Sequence, residues 1–151
     1  MSDPGTMLRR STDGFSVVIA DDDELVVEAL SGLIDDHPGL WLAGASTDGH
    51  HAVQLCAAQL PDLVVLDVSM PLGGVDGLEA VRAASPTSTV VFYTAQADRR
   101  TRQRLIAAGA AAVFAKGAPI DLAGELHALV AAEGVARPAG LASTQTTGET
   151  A

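Results

Sequence analysis

Residues 61–71 read PDLVVLDVSMP, four apolar residues that stop abruptly at one carboxylate, Asp67. A short run of Val and Leu without polar alternation predicts a strand buried on both faces of a parallel sheet. Its end lies at the carboxyl edge of that sheet, where open α/β folds place their ligands, so an acid there is chemically accessible on a rigid backbone. Asp67 is the candidate reactive group.

The same grammar recurs along the chain. SVVIA at 16–20 stops at Asp21 and Asp22, LWLAGA at 40–45 is a less continuous strand, VVFY at 90–93 ends in Thr94 and Ala95, and AAVFA at 111–115 ends in Lys116. Between these runs the spacing changes to three and four. Val26, Val27, Leu30, Leu33 and Ile34 predict a helix over 24–36 with one buried stripe, ended by His37, Pro38 and Gly39. Asp48 is placed to N-cap a helix running to Gln59. Residues 70–77, MPLGGVDG, read as a turn-rich loop before a short helix over 78–84 that Ser85 and Pro86 end. A helix from about 98 to 108 carries Arg99, Arg100, Arg102 and Arg104, with Gly109 as its C′ residue. The last helix, about 119–133, has Leu122, Leu126, Leu129 and Val130 as its stripe. Five strands alternating with five helices predict an α/β fold: a doubly wound five-stranded parallel sheet in a three-layer αβα sandwich.

At 151 residues with 48% hydrophobic content, the chain has material for one domain with a substantial core. The expected division is a flexible leader at 1–14, the domain at 15–134, and a flexible tail or the start of a linker at 135–151. No apolar run approaches bilayer length, and the two arginines near the amino terminus are not followed by an apolar segment of the secretory kind, so a cytoplasmic location without membrane contact is the expectation. A formal charge of −10 argues against an unaided grip on nucleic acid. Cys56, the single cysteine, falls in an Ala-rich helical stretch and reads as a small buried side chain. Lys116 is the only lysine, whereas four of the nine basic residues crowd into 98–105, a candidate partner surface. His50 and His51 lack a third ligand at metal spacing and read as surface residues.

In a parallel sheet the strand ends share one edge, so Asp21, Asp22, Asp67, Thr94 and Lys116 converge. Three carboxylates so placed repel one another unless a cation sits among them, and an all-oxygen donor set suits Mg²⁺. A carboxylate beside such a cation, with a hydroxyl and an ammonium nearby, has what phosphoryl transfer to oxygen requires, and the product is an acyl phosphate on Asp67.

These residues, in this order at these strand ends, resemble the CheY-like receiver domain of two-component response regulators, over about residues 16–133 and with most similarity to the NarL type. The resemblance implies a flavodoxin-like fold and phosphorylation of Asp67 by a sensor histidine kinase or a small phosphodonor. It implies Mg²⁺ held directly by Asp22 and Asp67, by the backbone carbonyl of Ser69, and by Asp21 through water. Thr94 and Lys116 would bind the phosphoryl oxygens and shift the face made by the fourth helix, fifth strand and fifth helix. The implied role is a signalling switch with slow self-dephosphorylation, not an enzyme turning over a substrate. The implied partners are the kinase, an output protein or domain, and a second copy of the chain as a homodimer. No output domain follows Glu133, so the chain is read as either a single-domain regulator or the receiver part of a longer protein.

Three features depart from that family pattern. The loop from Pro71 to the Asp76-Gly77 pair is about two residues long for the family. Val113 stands three before Lys116, where many receivers carry the Tyr or Phe that swings inward on activation. Lys116 is followed by Gly117 and Ala118, so Pro119 comes two positions later than in the common Lys-Pro pair. Two alternatives stay open on the residues. One is a pseudo-receiver that is never phosphorylated and binds partners constitutively. The other is a small Mg²⁺-dependent phosphohydrolase of the haloacid-dehalogenase type, with Asp21 and Asp23 as its Asp-x-Asp start and Asp21 as nucleophile.

Overall fold

The computed structural model describes residues 14–136. The segments read as leader and tail lie outside them, apart from Gly14 and the last two residues of the final helix. The strands are β1 (Phe15–Ala20), β2 (Leu40–Ser46), β3 (Leu63–Leu66), β4 (Thr89–Thr94) and β5 (Ala112–Ala115). The helices are α1 (Glu24–Asp36), α2 (Gly49–Gln59), α3 (Gly74–Ala84), α4 (Arg99–Ala108) and α5 (Leu122–Ala136).

All strand pairs are parallel, as the alternating pattern predicts, and the order across the sheet is β2-β1-β3-β4-β5, the flavodoxin-like arrangement that the resemblance implies. The chain reverses its direction of travel at β1 and β3, which opens a crevice outside their carboxyl ends. Register aligns those ends: Ile19 stands opposite Val65, Leu66 opposite Phe92, and Thr94 opposite Ala115.

Alternate strand residues feed two cores. Val17, Ile19, Leu63, Val65 and Val91 pack with Leu30 and Ile34 of α1 and Leu122, Leu126 and Val130 of α5. Val18, Ala20, Val64, Leu66 and Phe92 face the other way, onto Cys56 of α2, Leu78 and Val81 of α3 and Leu105 of α4. The central strand β3 is buried at all four positions, as its unbroken apolar run requires. At roughly 25 cal/mol per Å² of apolar area removed from water, these two layers are the main stabilising term.

Acid caps set three helix starts: Asp23 accepts from the Leu25 amide, Asp48 from that of His50, and Asp98 from that of Thr101. Other boundaries differ from the sequence reading. Helix α3 begins at Gly74, four residues before the predicted start, because Gly73 serves as an N-cap without a side chain and Asp76 lies in the first turn, where the helix dipole favours an acid. Helix α5 begins at Leu122 rather than near Pro119, where the Asp121 carboxylate accepts from the Gly124 amide. In the predicted stripe of α1, Leu30 and Ile34 are buried and half-buried Val26 packs beside them, whereas Leu33 is 45% exposed. Among the described residues, no helix is long and apolar enough to cross a membrane.

Candidate functional site

Asp67 directly follows β3 and is 2% exposed, while Asp21 directly follows β1 and is 1% exposed. Asp22, one residue further, is exposed. Carboxylate oxygens of all three lie within 4.8 Å of one another. The Lys116 ammonium reaches in from the end of β5, 2.6 Å from Asp21 Oδ2 and 3.3 Å from Asp67 Oδ2. Its backbone is fixed to the neighbouring strand, since the Lys116 amide donates to the Thr94 carbonyl at 2.9 Å. Thr94, wholly buried as the last residue of β4, accepts the Gln96 amide on its hydroxyl at 3.0 Å. Five residues spread over 96 positions of sequence thus meet at one sheet edge because the strands that carry them are all parallel.

The remaining contacts hold the acids in place. Asp21 Oδ1 accepts from the Asp23 amide at 2.9 Å, and Asp67 Oδ2 accepts from the Ser69 hydroxyl at 3.2 Å. Asp67 Oδ1, by contrast, is buried and has no hydrogen-bond partner. A buried carboxylate oxygen without a partner is costly, and it becomes tolerable when a cation or a reacting group completes it. Three acids against one ammonium leave the cluster negatively charged. Burial pushes the Asp21 carboxyl above its ordinary value, and the charge of Asp67 adds to that, with Lys116 and the Asp23 amide pulling the other way. Burial opposes the Lys116 ammonium, yet the two carboxylates outweigh it and raise that group above its ordinary value. The donor set is all oxygen, carries excess negative charge and includes an orphaned buried atom, so these residues fit a hard divalent cation.

The loop beyond Pro71 packs back beneath Asp67. A Cβ at Gly73 would lie 2.6 Å from the Asp67 carbonyl oxygen, 2.7 Å from that of Met70 and 2.8 Å from that of Val68, so only glycine lets the backbone pass this close. Leu72 takes the left-handed conformation at φ 56° to complete the turn.

The other singled-out residues separate from this edge. Cys56 is buried and its thiol is pushed up to about 11. His51 meets the Ser46 hydroxyl at 2.9 Å, beside the turn that caps α2. Val113 is a buried core residue opposite Phe92. Asp23 turns its carboxylate to the Leu25 amide, away from any pairing with Asp21 as an Asp-x-Asp site. Two contacts were not foreseen from sequence: the Ser69 hydroxyl on Asp67, and Arg102, which donates to the carbonyls of Val113 and Ala97. The carbonyls that Arg102 finds leave no trace in a sequence, and the Ser69 hydroxyl, two residues beyond Asp67, meets that carboxylate only because of the turn after β3.

The sequence matches the family model of the response regulator receiver domain over residues 17–129. The chain belongs to the receiver family. This receiver is 31% identical over 106 residues to the response regulator UvrY of Escherichia coli, covering 68% of this chain and 48% of that protein. It is 34% identical over 108 residues to the response regulator GacA of Pseudomonas aeruginosa, covering 70% and 50%. The chain therefore spans about half the length of these relatives. Among solved structures, the signal receiver domain of the putative response regulator NarL from Mycobacterium tuberculosis superposes with a TM-score of 0.68 at 26% identity, covering 80% of this receiver and 93% of that chain. The CheY-like fold and the NarL-type resemblance stand, and the acidic cluster fits a phosphoacceptor site.

Proposed function

We propose that this receiver takes a phosphoryl group onto Asp67 from a sensor histidine kinase or a small phosphodonor, and that it signals through the face formed by α4, β5 and α5. The observation that carries this reading is the pair of Asp67 oxygens: Oδ2 is held by Lys116 and Ser69, while buried Oδ1 is unpartnered at the sheet edge. Oδ1 supplies the electron pair for a new O–P bond, and the P–N bond to the donor imidazole breaks with its pair returning to nitrogen. The product is an acyl phosphate, and no proton moves at Asp67. Lys116 offers its ammonium, and Thr94 its hydroxyl proton, to the phosphoryl oxygens.

Asp21, Asp22, Asp67 and the backbone carbonyl of Ser69 would hold Mg²⁺, which neutralises charge among the carboxylates and on the incoming phosphoryl group. An apolar hollow of about 200 Å³ beside Lys116, lined by Leu25, Ala29 and Leu33 of α1 and by Tyr93, supports kinase docking next to the acceptor. A cytoplasmic setting follows from a cytoplasmic phosphodonor. The position of Asp23 weighs against the phosphohydrolase alternative.

Intact mass after incubation with acetyl phosphate and Mg²⁺ tests the reading. Wild type and Asp21→Asn are compared with Asp67→Asn, and a single added phosphoryl group on wild type that is absent from Asp67→Asn is the expected result. Uptake by Asp67→Asn that is lost in Asp21→Asn would point to the hydrolase nucleophile instead. No uptake by any chain, from acetyl phosphate or from a kinase, would leave the constitutive binding module.

A further inference from the structure

Helix α4 is weakly anchored by packing. Of its ten residues only Leu105 is buried, whereas α3 buries four of eleven. Two arginine forks supply other attachments. At its carboxyl end, Arg82 of α3 donates from Nη1 to the Ala108 carbonyl at 3.2 Å and from Nη2 to the Gly109 carbonyl at 3.1 Å. Nearer its amino end, Arg102 donates from Nη1 to the Val113 carbonyl on β5 and from Nη2 to the Ala97 carbonyl at 3.4 Å. The other arginines of α4, at 99, 100 and 104, have exposed side chains that make no ion pair or hydrogen bond among the described residues.

The Ala97 carbonyl belongs to the short segment between Thr94 and the N-cap Asp98. That segment is tied at its start by the bond from the Gln96 amide to the Thr94 hydroxyl. Arg102 therefore closes a chain of contacts from the acceptor edge to α4: Thr94, Gln96, Ala97, Arg102, with Val113 as the fixed point on β5. A guanidinium presents its donors in one rigid plane, so the two bonds are geometrically linked. The Ala97 bond, already near the limit of hydrogen-bond length, is the arm that breaks when the segment shifts by a few tenths of an ångström, while the Val113 arm stays closed. The Val113 side chain has no polar atom with which to relay anything.

We propose that Arg102 is the positioning residue that couples the phosphoacceptor site to α4. Turning of the Thr94 hydroxyl toward a phosphoryl group on Asp67 frees Gln96 and withdraws Ala97 from Arg102. Helix α4, freed from the 94–97 segment but still held to β5 through the Val113 carbonyl, then turns about Leu105 and the Arg82 fork. The coupling role rests on the phosphoacceptor reading; the resting clamp does not.

Two measurements on the full chain by amide NMR separate these. Without phosphodonor, Arg102→Ala is expected to speed hydrogen exchange at 97–102 roughly tenfold, the scale of losing a charge-assisted hydrogen bond, with Arg100→Ala unchanged. Exchange at 97–102 that is the same in Arg102→Ala and wild type overturns the clamp. With beryllofluoride and Mg²⁺, shift changes in wild type are expected to reach 99–104, and in Arg102→Ala to stop at 94–97 with beryllofluoride affinity within a few-fold of wild type. Arg102→Lys, which keeps the charge but lacks the fork, is expected to follow Arg102→Ala. An α4 response in Arg102→Ala equal to wild type overturns the coupling. A wild type that takes up no beryllofluoride overturns the phosphoacceptor reading and the coupling together, while the exchange arm still judges the clamp.

Discussion

Asp21 and Asp22 are neighbours with opposite environments, one 1% exposed and the other open to solvent. The turn after β1 sends the first inward, and its amide acceptance from Asp23 fixes it there. The acids, the hydroxyl and the ammonium were legible in the sequence because each follows an unbroken apolar run, and a run of that kind has only one way to end at a parallel sheet edge. Which carboxylate is buried was not legible, for it depends on turn geometry rather than residue type. The Cys56 thiol shows burial at the same scale, and its effect on stability has a definite sign. The folded chain keeps a proton that the unfolded chain releases between the ordinary value of 9.0 and about 11. Stability is therefore full below pH 9 and declines as pH rises through that window. Urea unfolding of wild type against Cys56→Ala is expected to show wild type losing on the order of 2 kcal/mol relative to the variant from pH 8 to 11. A constant difference across that range would mean the thiol is solvated.

The strands and acid-capped helices were readable as elements, since period two, period three to four and a preceding Asp are properties of the chain itself. The start of α3 was not readable. MPLGGVDG carries every mark of a loop, and only the crowding of Gly73 against the carbonyls of Asp67, Val68 and Met70 shows that the turn is compressed into residues 71–73. Leu33 misled for a related reason: periodicity finds the apolar face of a helix but not how much of it the neighbouring elements cover. Gly73→Ala tests the crowding. It is expected to cost about 2 kcal/mol by thermal unfolding, the scale of an overpacked contact, and to slow phosphoryl uptake at Asp67, whose carbonyl must shift. Unchanged melting and uptake would show that the loop yields freely.

The molecule as a whole is strongly acidic, and three of its carboxylates share one sheet edge. Two effects of salt follow and can be told apart. Raising NaCl screens the general repulsion of a chain at −10 and is expected to raise the melting temperature modestly in wild type and in Asp22→Asn alike. Mg²⁺ at constant ionic strength is expected to add about 2.7 kcal/mol at a hundredfold excess over its dissociation constant, and far less in Asp22→Asn or Asp67→Asn. Equal Mg²⁺ effects in all three chains would reduce the ion to a screening role.

Asp67 and the Lys116 ammonium lie 49 residues apart in the chain and meet only through the β4–β5 pairing. During synthesis Asp67 emerges well before Lys116, on a strand whose far neighbour does not yet exist. A nascent or partly unfolded chain thus carries Asp67 without Lys116 beside it, and under the proposed function it would stay silent to a phosphodonor. Under the proposed function, modification of Asp67 would certify that the last strand has docked, so signal and proof of correct folding would be one event.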